Sequence, residues 1–547
     1  MKNEESWQFW VDRGGTFTDV IGRSPDGRLH ATKVLSNDPA LSEDSVVAGI
    51  RELLGVATST ALPLERIAEV RVGTTVATNA LVERKGAAAL FVTNVGLADV
   101  LEIGDQARPD IFALNIQKPP PLYARVVTTP LRQDVDGREA SPLDEDALRR
   151  TFDEAREAGC TSCAITLMHA WRYGEQESRV AELAQAAGFD CVVMSHDASP
   201  LMGLVPRAAT TVAEAYLEPI LRRYTSQLAE AFPGIPLGLM KSDGGLSSAE
   251  SFSARHALLS GPAGGVVGAV QTAHRAGFER VIGFDMGGTS TDVSHYAGAW
   301  ERHREVDLAG VHLAIPMLAV ETIAAGGGSV VAYDGGRLTV GPASAGADPG
   351  PTCYRRGGPL TVTDCNLLLG RIAADHFPSL FGPNGDEPLD EEATTKAFDE
   401  LAEGMDRAPE EAASGALAIA IEHMAAAIKR ISIARGHDPT ECVLNAFGGA
   451  GGQHACGVAD ALGIETILLH PLAGVLSALG IGLSARSVLL ERGLETELPE
   501  GYDEISQAGK ELREEARAQL EEDLPESGDA DITCKVTALV RYAGSET

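Results

Sequence analysis

At 547 residues the chain is long enough for three or four domains, each with its own core. Its 44% hydrophobic content is that of a globular rather than a disordered protein. A net charge of −33 excludes the usual binders of nucleic acid and anionic membranes, which meet phosphates with basic patches.

The opening residues, MKNEESWQFWVDRGG, carry no basic segment followed by an apolar run, so they do not read as a signal peptide. No stretch of about 18 apolar residues occurs, and a soluble, cytoplasmic protein is expected. Phe9 to Gly22 (FWVDRGGTFTDVIG) reads as a buried strand breaking into a tight hairpin. Gly14 and Gly15 can take positive φ and let backbone N–H groups approach an anion. Thr16 and Thr18 add hydroxyl donors, and Asp12 and Asp19 offer carboxylates to a Mg²⁺ ion. A second hairpin follows around Ser24-Pro25-Asp26-Gly27, then a helix over 42–54. Val70 to Gly86 predicts a strand, a Gly-Thr-Thr turn and a helix carrying Asn79 and Arg84, and Ala88 to Asn94 another buried strand.

Asp99 to Tyr123 is polar and aperiodic; Asp105, Gln106 and Arg108 there face either a small polar substrate or plain surface. Alternating helices (144–159, 175–188) and strands (163–168, 190–194) follow. Cys160 and Cys163 read as buried thiols, and the eight scattered cysteines form no disulfide framework. A long helix over 201–232 leads through the strand 236–240 into Lys241-Ser242-Asp243-Gly244-Gly245, at the end of a strand where open α/β sheets bind ligands. Ser260 to Gly265 then opens a small-residue helix over 266–276, expected to pack on the next strand.

That strand repeats the first hairpin. Val281 to Ser294 (VIGFDMGGTSTDVS) aligns without a gap on the opening motif, with Asp285, Gly287, Gly288, Thr289, Thr291 and Asp292 matching Asp12, Gly14, Gly15, Thr16, Thr18 and Asp19, and Ser290 adding a hydroxyl. A duplicated phosphate hairpin implies two similar domains facing each other across a cleft. Beyond it, Ala324 to Ser329 and GPASAGADPGP bring much backbone within reach of a ligand. A long helix over 411–434 precedes the strand 442–446, and Gly448, Gly449, Gly451 and Gly452 form a turn before a helix near Gln453. Strand, Gly-rich turn and helix N-terminus suit a nucleotide, here the adenosine moiety. His169 and His454 read as structural. From Glu491 the chain turns acidic and amphipathic over 502–523, and ITCKVTALVRYAGSET reads as a strand entering a hairpin, an incomplete final element.

The order of these loops resembles the actin, sugar kinase and Hsp70 superfamily of ATP-binding proteins. More narrowly, VDRGGTFTDVIG, GTTVATNALVERKG, SGPAGGVVGAV, FDMGGTSTDVS, AGGGS, GPASAGADPGP, LTVTDCNLLLGR and FGGAGGQHAC, in this order, are similar to the hydantoinase A / 5-oxoprolinase family. Val72 departs from the His often found before Gly-Thr-Thr in hydantoinase-like members, which points to the 5-oxoprolinase branch. The resemblance implies an α/β fold of two facing actin-like (ribonuclease H-like) ATPase domains with mixed sheets. It places an N-terminal domain at 1–195, a second domain at 196–490 and the start of a C-terminal domain at 491–547. It also implies ATP and Mg²⁺ as cofactors, with Asp12 and Asp285 on metal and water, the hairpin residues on phosphates and the glycine turn on adenosine. The expected activity is ATP-dependent opening of a cyclic amide, 5-oxoproline first, in a hetero-oligomer with a hydantoinase B-like subunit. An ATP-dependent hydantoinase, a subunit of an acetone- or acetophenone-type carboxylase and an ATP-gated assembly protein are the alternatives.

Overall fold

The structure, a computed structural model, describes residues 6–36, 43–105, 111–524, 531–543 and 545. The chain divides into two compact units: 1–261 with 302–317 and 484–547, and 262–301 with 318–483.

The first unit begins with β1 (Trp7–Arg13), β2 (Phe17–Arg23) and β3 (Leu29–Leu35), an antiparallel meander. Phe9, Val11 and Val20 share the face on the main core, while Trp10 and Ile21, paired across the ladder, are buried on the opposite face, so these strands are covered on both sides. Helix α1 (Ser45–Leu54) starts where Asp44 accepts from the Val46 N–H at 2.9 Å and stops at Gly55, in the left-handed region. β4 (Ile67–Thr74) returns parallel to β1 and runs through Thr75 into helix α2 (Val76–Val82). β5 (Ala89–Asn94), β6 (Tyr123–Thr129), β7 (Ser162–Ile165) and β8 (Cys191–Met194) form a separate all-parallel sheet in the order β8-β7-β5-β6. Every residue of β5 is buried, as a strand covered on both faces must be. Helices α3 (Glu145–Glu157) and α4 (Glu175–Ala186) are its crossovers. Cys160 and Cys163 are buried and unbonded, and burial pushes both thiols up. Helix α5 (Leu204–Ala231) carries buried Val212, Tyr216 and Leu221 against the core and leads to β9 (Leu237–Met240), parallel to β4, and β10 (Leu246–Ser247). The first sheet therefore reads β10-β9-β4-β1-β2-β3.

Helix α6 (Ser260–Arg275) begins six residues before the expected span, with the Ser-Gly-Pro-Ala-Gly-Gly run that opens it forming its first turns. Its small residues let other backbone close in: a Cβ on Gly268 would stand 2.6 Å from the Leu476 carbonyl oxygen.

The second unit is built on β11 (Arg280–Met286) and β12 (Thr291–Ala297), joined by β13 (Glu321–Ile323), β14 (Val443–Phe447) and β15 (Ile467–Leu468). Helix α7 (Pro409–Ile431) packs its buried alanines and Met424, Ile428 and Ile431 under this sheet, and helix α8 (Gly451–Leu462) follows β14. The order β13-β12-β11-β14-β15 repeats β3-β2-β1-β4-β9, antiparallel, antiparallel, parallel, parallel. Two copies of one sheet, each opened by the same hairpin, make the fold actin-like (ribonuclease H-like) in each unit, as the duplicated motif implies.

A helix over Tyr502–Asp523 belongs to the first unit, where Asp523 accepts from the Ser248 N–H at 2.9 Å and from Arg486 at 3.0 Å. Residues 531–543 form no strand, against expectation; Val536, Leu539, Val540 and Tyr542 are exposed. Alternation of apolar residues makes a strand only where a neighbour supplies the ladder, and none of the described strands pairs with this segment.

Candidate functional site

The two hairpins share their ladder pairing and their closing bond. Asp12 pairs across the ladder with Asp19, and Asp285 with Asp292. Each turn is closed by its first glycine: Gly14 N–H donates to Phe17 O, and Gly287 N–H to Ser290 O, both at 3.0 Å. None of these glycines, nor Gly15 or Gly288, adopts a positive φ, which corrects the expected backbone conformation. What the turn needs is space: a Cβ on Gly14 would lie 2.9 Å from Phe17 O, while Gly288 faces open solvent. Gly15, Thr16, Gly288 and Thr289 are exposed at the tips and Ser290 is half-buried.

The second threonine of each motif is fully buried. Thr18 Oγ1 shares hydrogen bonds with Ser36 Oγ at 3.0 Å and Ser45 Oγ at 2.8 Å, and Thr291 donates to the Ala325 carbonyl. Thr18 and Thr291 thus brace the hairpin bases, whereas Thr16 and Thr289 are exposed at the tips.

Asp12 has a carboxyl pushed up to about 7, by burial first and by the neighbouring Asp19 second, against the pull of Lys33. Asp19 is also raised by burial, although it is ion-paired with Lys33. Asp12 Oδ1 is buried with no hydrogen-bond partner, and a Cβ on Gly261 would come within 3.1 Å of it. A buried, unsatisfied carboxylate oxygen beside a second carboxylate is what a divalent cation or its water completes, so Asp12 fits Mg²⁺. The sign for stability follows. The folded state holds a proton on Asp12 that the unfolded chain loses at the usual carboxylate pKa, so this group costs stability progressively as pH rises from about 4 to 7. Asp12→Asn is therefore expected to raise the melting temperature at pH 8 and leave it unchanged at pH 4; thermal unfolding across that range checks it.

In the second unit Asp285 lies beside the glycine turn. Gly448 has φ +79°, and a Cβ there would overlap Asp285 Oδ1 and stand 2.5 Å from Met286 O. Ala450 N–H donates to Met286 O at 2.9 Å, fastening this turn to the end of β11, and Gly448 N–H donates to Ala473 O at 3.1 Å. Gly449 and Gly452 are exposed, Gly451 is buried, and α8 starts at Gly451, two residues earlier than expected. Asp292 accepts from Thr322 Oγ1 at 2.7 Å, and burial raises its carboxyl.

The Gly326-Gly327-Gly328 loop stacks on the hairpin. Gly327 N–H donates to Gly287 O at 3.1 Å and Gly328 N–H to Gly288 O at 2.6 Å. A Cβ on Gly326 would lie 2.7 Å from Ser290 N, so only glycine lets the two turns stack. His454 is buried in the first turn of α8, with Nε2 3.1 Å from Asn366 Nδ2. Burial and Arg371 hold it down at about 4, a neutral structural imidazole. Arg108 and Gln106 lie outside the described residues. Sequence reasoning missed Lys33, Gly261, Ser36, Ser45 and Thr322, which reach the hairpins through sheet register and chain return and share no motif with them.

Duplicated hairpins on duplicated sheets define the ATPase-type, actin-like class. The hydantoinase/oxoprolinase N-terminal region model matches residues 8–188, and the hydantoinase/oxoprolinase model matches residues 207–488. The chain belongs to the hydantoinase/oxoprolinase family. It is 40% identical over 593 residues to 5-oxoprolinase 1 of Arabidopsis thaliana, covering 100% of this chain and 46% of that one. It is 34% identical to the caprolactamase subunit alpha of Pseudomonas jessenii, covering 99% of this chain and 80% of that one. The crystal structure of the ATP-dependent caprolactamase from Pseudomonas jessenii superposes with a TM-score of 0.84 at 32% identity, over 95% of this chain and 77% of that chain. The chain spans about half the length of several of the curated relatives it matches. Among the described residues, no helix is long and apolar enough to cross a membrane.

Proposed function

We propose that this chain is the ATP-using part of a cyclic-amide hydrolase, with 5-oxoproline as its first candidate substrate. The observation that carries this reading is the fastening of the Gly448 turn to Met286, beside Asp285, which puts a glycine-rich helix entry next to a hairpin whose tip residues Gly288 and Thr289 are exposed. The names of the relatives supply the substrate class: 5-oxoprolinase and caprolactamase both denote lactam-opening enzymes.

A lactam carbonyl resists water because amide resonance lowers its electrophilicity. Moving the γ-phosphoryl of ATP to the carbonyl oxygen makes that oxygen part of a leaving group and releases ADP. Water then adds to the carbon, the C–N bond breaks as nitrogen takes a proton, and a second water frees phosphate from the acyl phosphate. Phosphoryl transfer asks a protein chiefly for positioning and charge stabilisation. Asp12 and Asp285 would hold Mg²⁺ and its waters, and the ion would neutralise charge on the phosphates. The amides and hydroxyls of Gly14, Gly15, Thr16, Gly287, Gly288, Thr289 and Ser290 would meet phosphate oxygens. Thr18, Asp19, Thr291 and Asp292 would support those contacts from the hairpin bases. Gly448, Gly449, Gly451 and Gly452 would lie along the nucleoside.

The alpha-subunit name of the caprolactamase relative supports a separate partner, here of hydantoinase B type, in a hetero-oligomer. The described cysteines are all free, which supports a reducing, cytoplasmic setting. In the assembled enzyme, ATP turnover is expected to rise on adding 5-oxoproline. No stimulation by 5-oxoproline, caprolactam or a hydantoin, with turnover instead requiring bicarbonate and a ketone, would replace this reading with a carboxylase.

A further inference from the structure

At the end of β12 remote from the hairpin tip, three side chains from separate parts of the second unit converge. His295 lies on β12, Glu301 just past the following turn, and His437 in the connection from α7 into β14. His295 Nδ1 is 2.6 Å from Glu301 Oε1, His437 Nε2 is 3.7 Å from the same oxygen, and the three atoms all lie within 4.8 Å of one another. The two imidazoles face each other with ring centroids 4.4 Å apart.

We propose that His295, Glu301 and His437 bind a divalent transition-metal ion of the zinc type, pinning the outgoing strand of the hairpin to the chain that leads into the Gly448 turn. Around a tetrahedral zinc with bonds of about 2.0–2.1 Å, ligand atoms stand roughly 3.4 Å apart, and the observed 2.6 and 3.7 Å bracket that spacing. Side-chain adjustments of under an ångström close the site. His295 is buried on a strand and holds its place, while Glu301 and His437 are more exposed and can adjust. Arg435 donates to Glu301 Oε2 at 2.8 Å, which leaves Oε1 as the single ligating oxygen and fixes the carboxylate plane. Two imidazoles and one carboxylate select zinc, cobalt, nickel or copper over magnesium or calcium, which prefer all-oxygen shells.

The site is separate from the phosphate hairpin. His295 pairs with Ile282, four residues down the strand from Thr291, or about 13 Å along it. An ion here acts by holding β12 and the approach to β14 together, and three protein ligands leave a fourth position for water.

The test uses the full chain, free of any affinity tag, stripped with chelator and titrated with ZnCl₂. Its exposed Cys456 and Cys534 are alkylated beforehand, since free thiols also take zinc. The expected result is one zinc retained per chain after gel filtration, with a zinc-dependent rise in melting temperature that Mg²⁺ does not reproduce. His437→Ala and Glu301→Gln should each lose both effects. Cobalt in place of zinc should give the intense visible band of a four-coordinate site in the unaltered chain, a readout that needs no variant. Equal zinc on the unaltered chain and His437→Ala, or no cobalt band, would show instead a proton-bridged His–Glu pair and overturn the site.

Discussion

Asp285→Asn in the assembled enzyme is expected to lower ATP turnover by about 10²–10³, the cost of losing one preorganised electrostatic contact to developing charge. The substitution keeps the size of the side chain and removes its formal charge, so the circular dichroism spectrum and melting temperature should hold. Nucleotide affinity should survive, because the hairpin amides proposed to meet phosphates are backbone groups. Asp292 gives the contrast. It is bonded to the exposed Thr322 and sits past the turn, so Asp292→Ala should cost about 0.5–1.5 kcal/mol of stability through the lost hydrogen bond and far less turnover. Normal turnover in Asp285→Asn with a dead Asp292→Ala would reverse the roles assigned within this loop.

Gly448→Ala should be the most damaging single change in the glycine turn. Its φ of +79° costs an L-residue roughly 1–2 kcal/mol, and the added Cβ would overlap Asp285 Oδ1 and press on Met286 O at 2.5 Å. The turn must shift off β11 to accommodate it, carrying the first turn of α8 away from the place proposed for the nucleoside. A loss of about 10–100-fold in nucleotide affinity is expected, equivalent to 1.4 kcal/mol per tenfold. Gly474→Ala is the control, since nothing lies within 4 Å of a Cβ there, its φ is unexceptional and it is outside the proposed site. Equilibrium titration with a fluorescent ATP analogue separates the two, and equal affinity in both variants would remove the Gly448 turn from the site.

Both hairpins were legible in the sequence because they are local. An acidic residue, two glycines and a threonine after an apolar run specify strand, turn and strand within about a dozen residues, and the gapless repeat carries over into a repeated closing bond and strand order. The alternating helices and strands of 144–194 were legible for the same reason. Properties set by return of the chain were not. The long helix α5 and strand β9 follow residue 195 yet complete the first sheet, and residues 484–547 rejoin the first unit. Gly261 closes on the Asp12 carboxylate from far along the chain, and the stacking of Gly326 on the hairpin depends on a turn more than thirty residues away. Ser260 to Gly265 has the composition of a loop, but helix packing that leaves no room for a Cβ overrides glycine's low helix propensity. The His295, Glu301 and His437 cluster is spread over too much sequence to show any ligand spacing.

The central claim is that exposed hairpin amides and the glycine turn receive the nucleotide. Hydrogen–deuterium exchange with and without a non-hydrolysable ATP analogue and Mg²⁺ reads those amides directly. The account predicts slowed exchange concentrated in peptides covering residues 14–18, 287–291 and 448–453, weakened when Mg²⁺ is withheld. Saturating analogue that leaves all three segments unchanged while protecting others would contradict it.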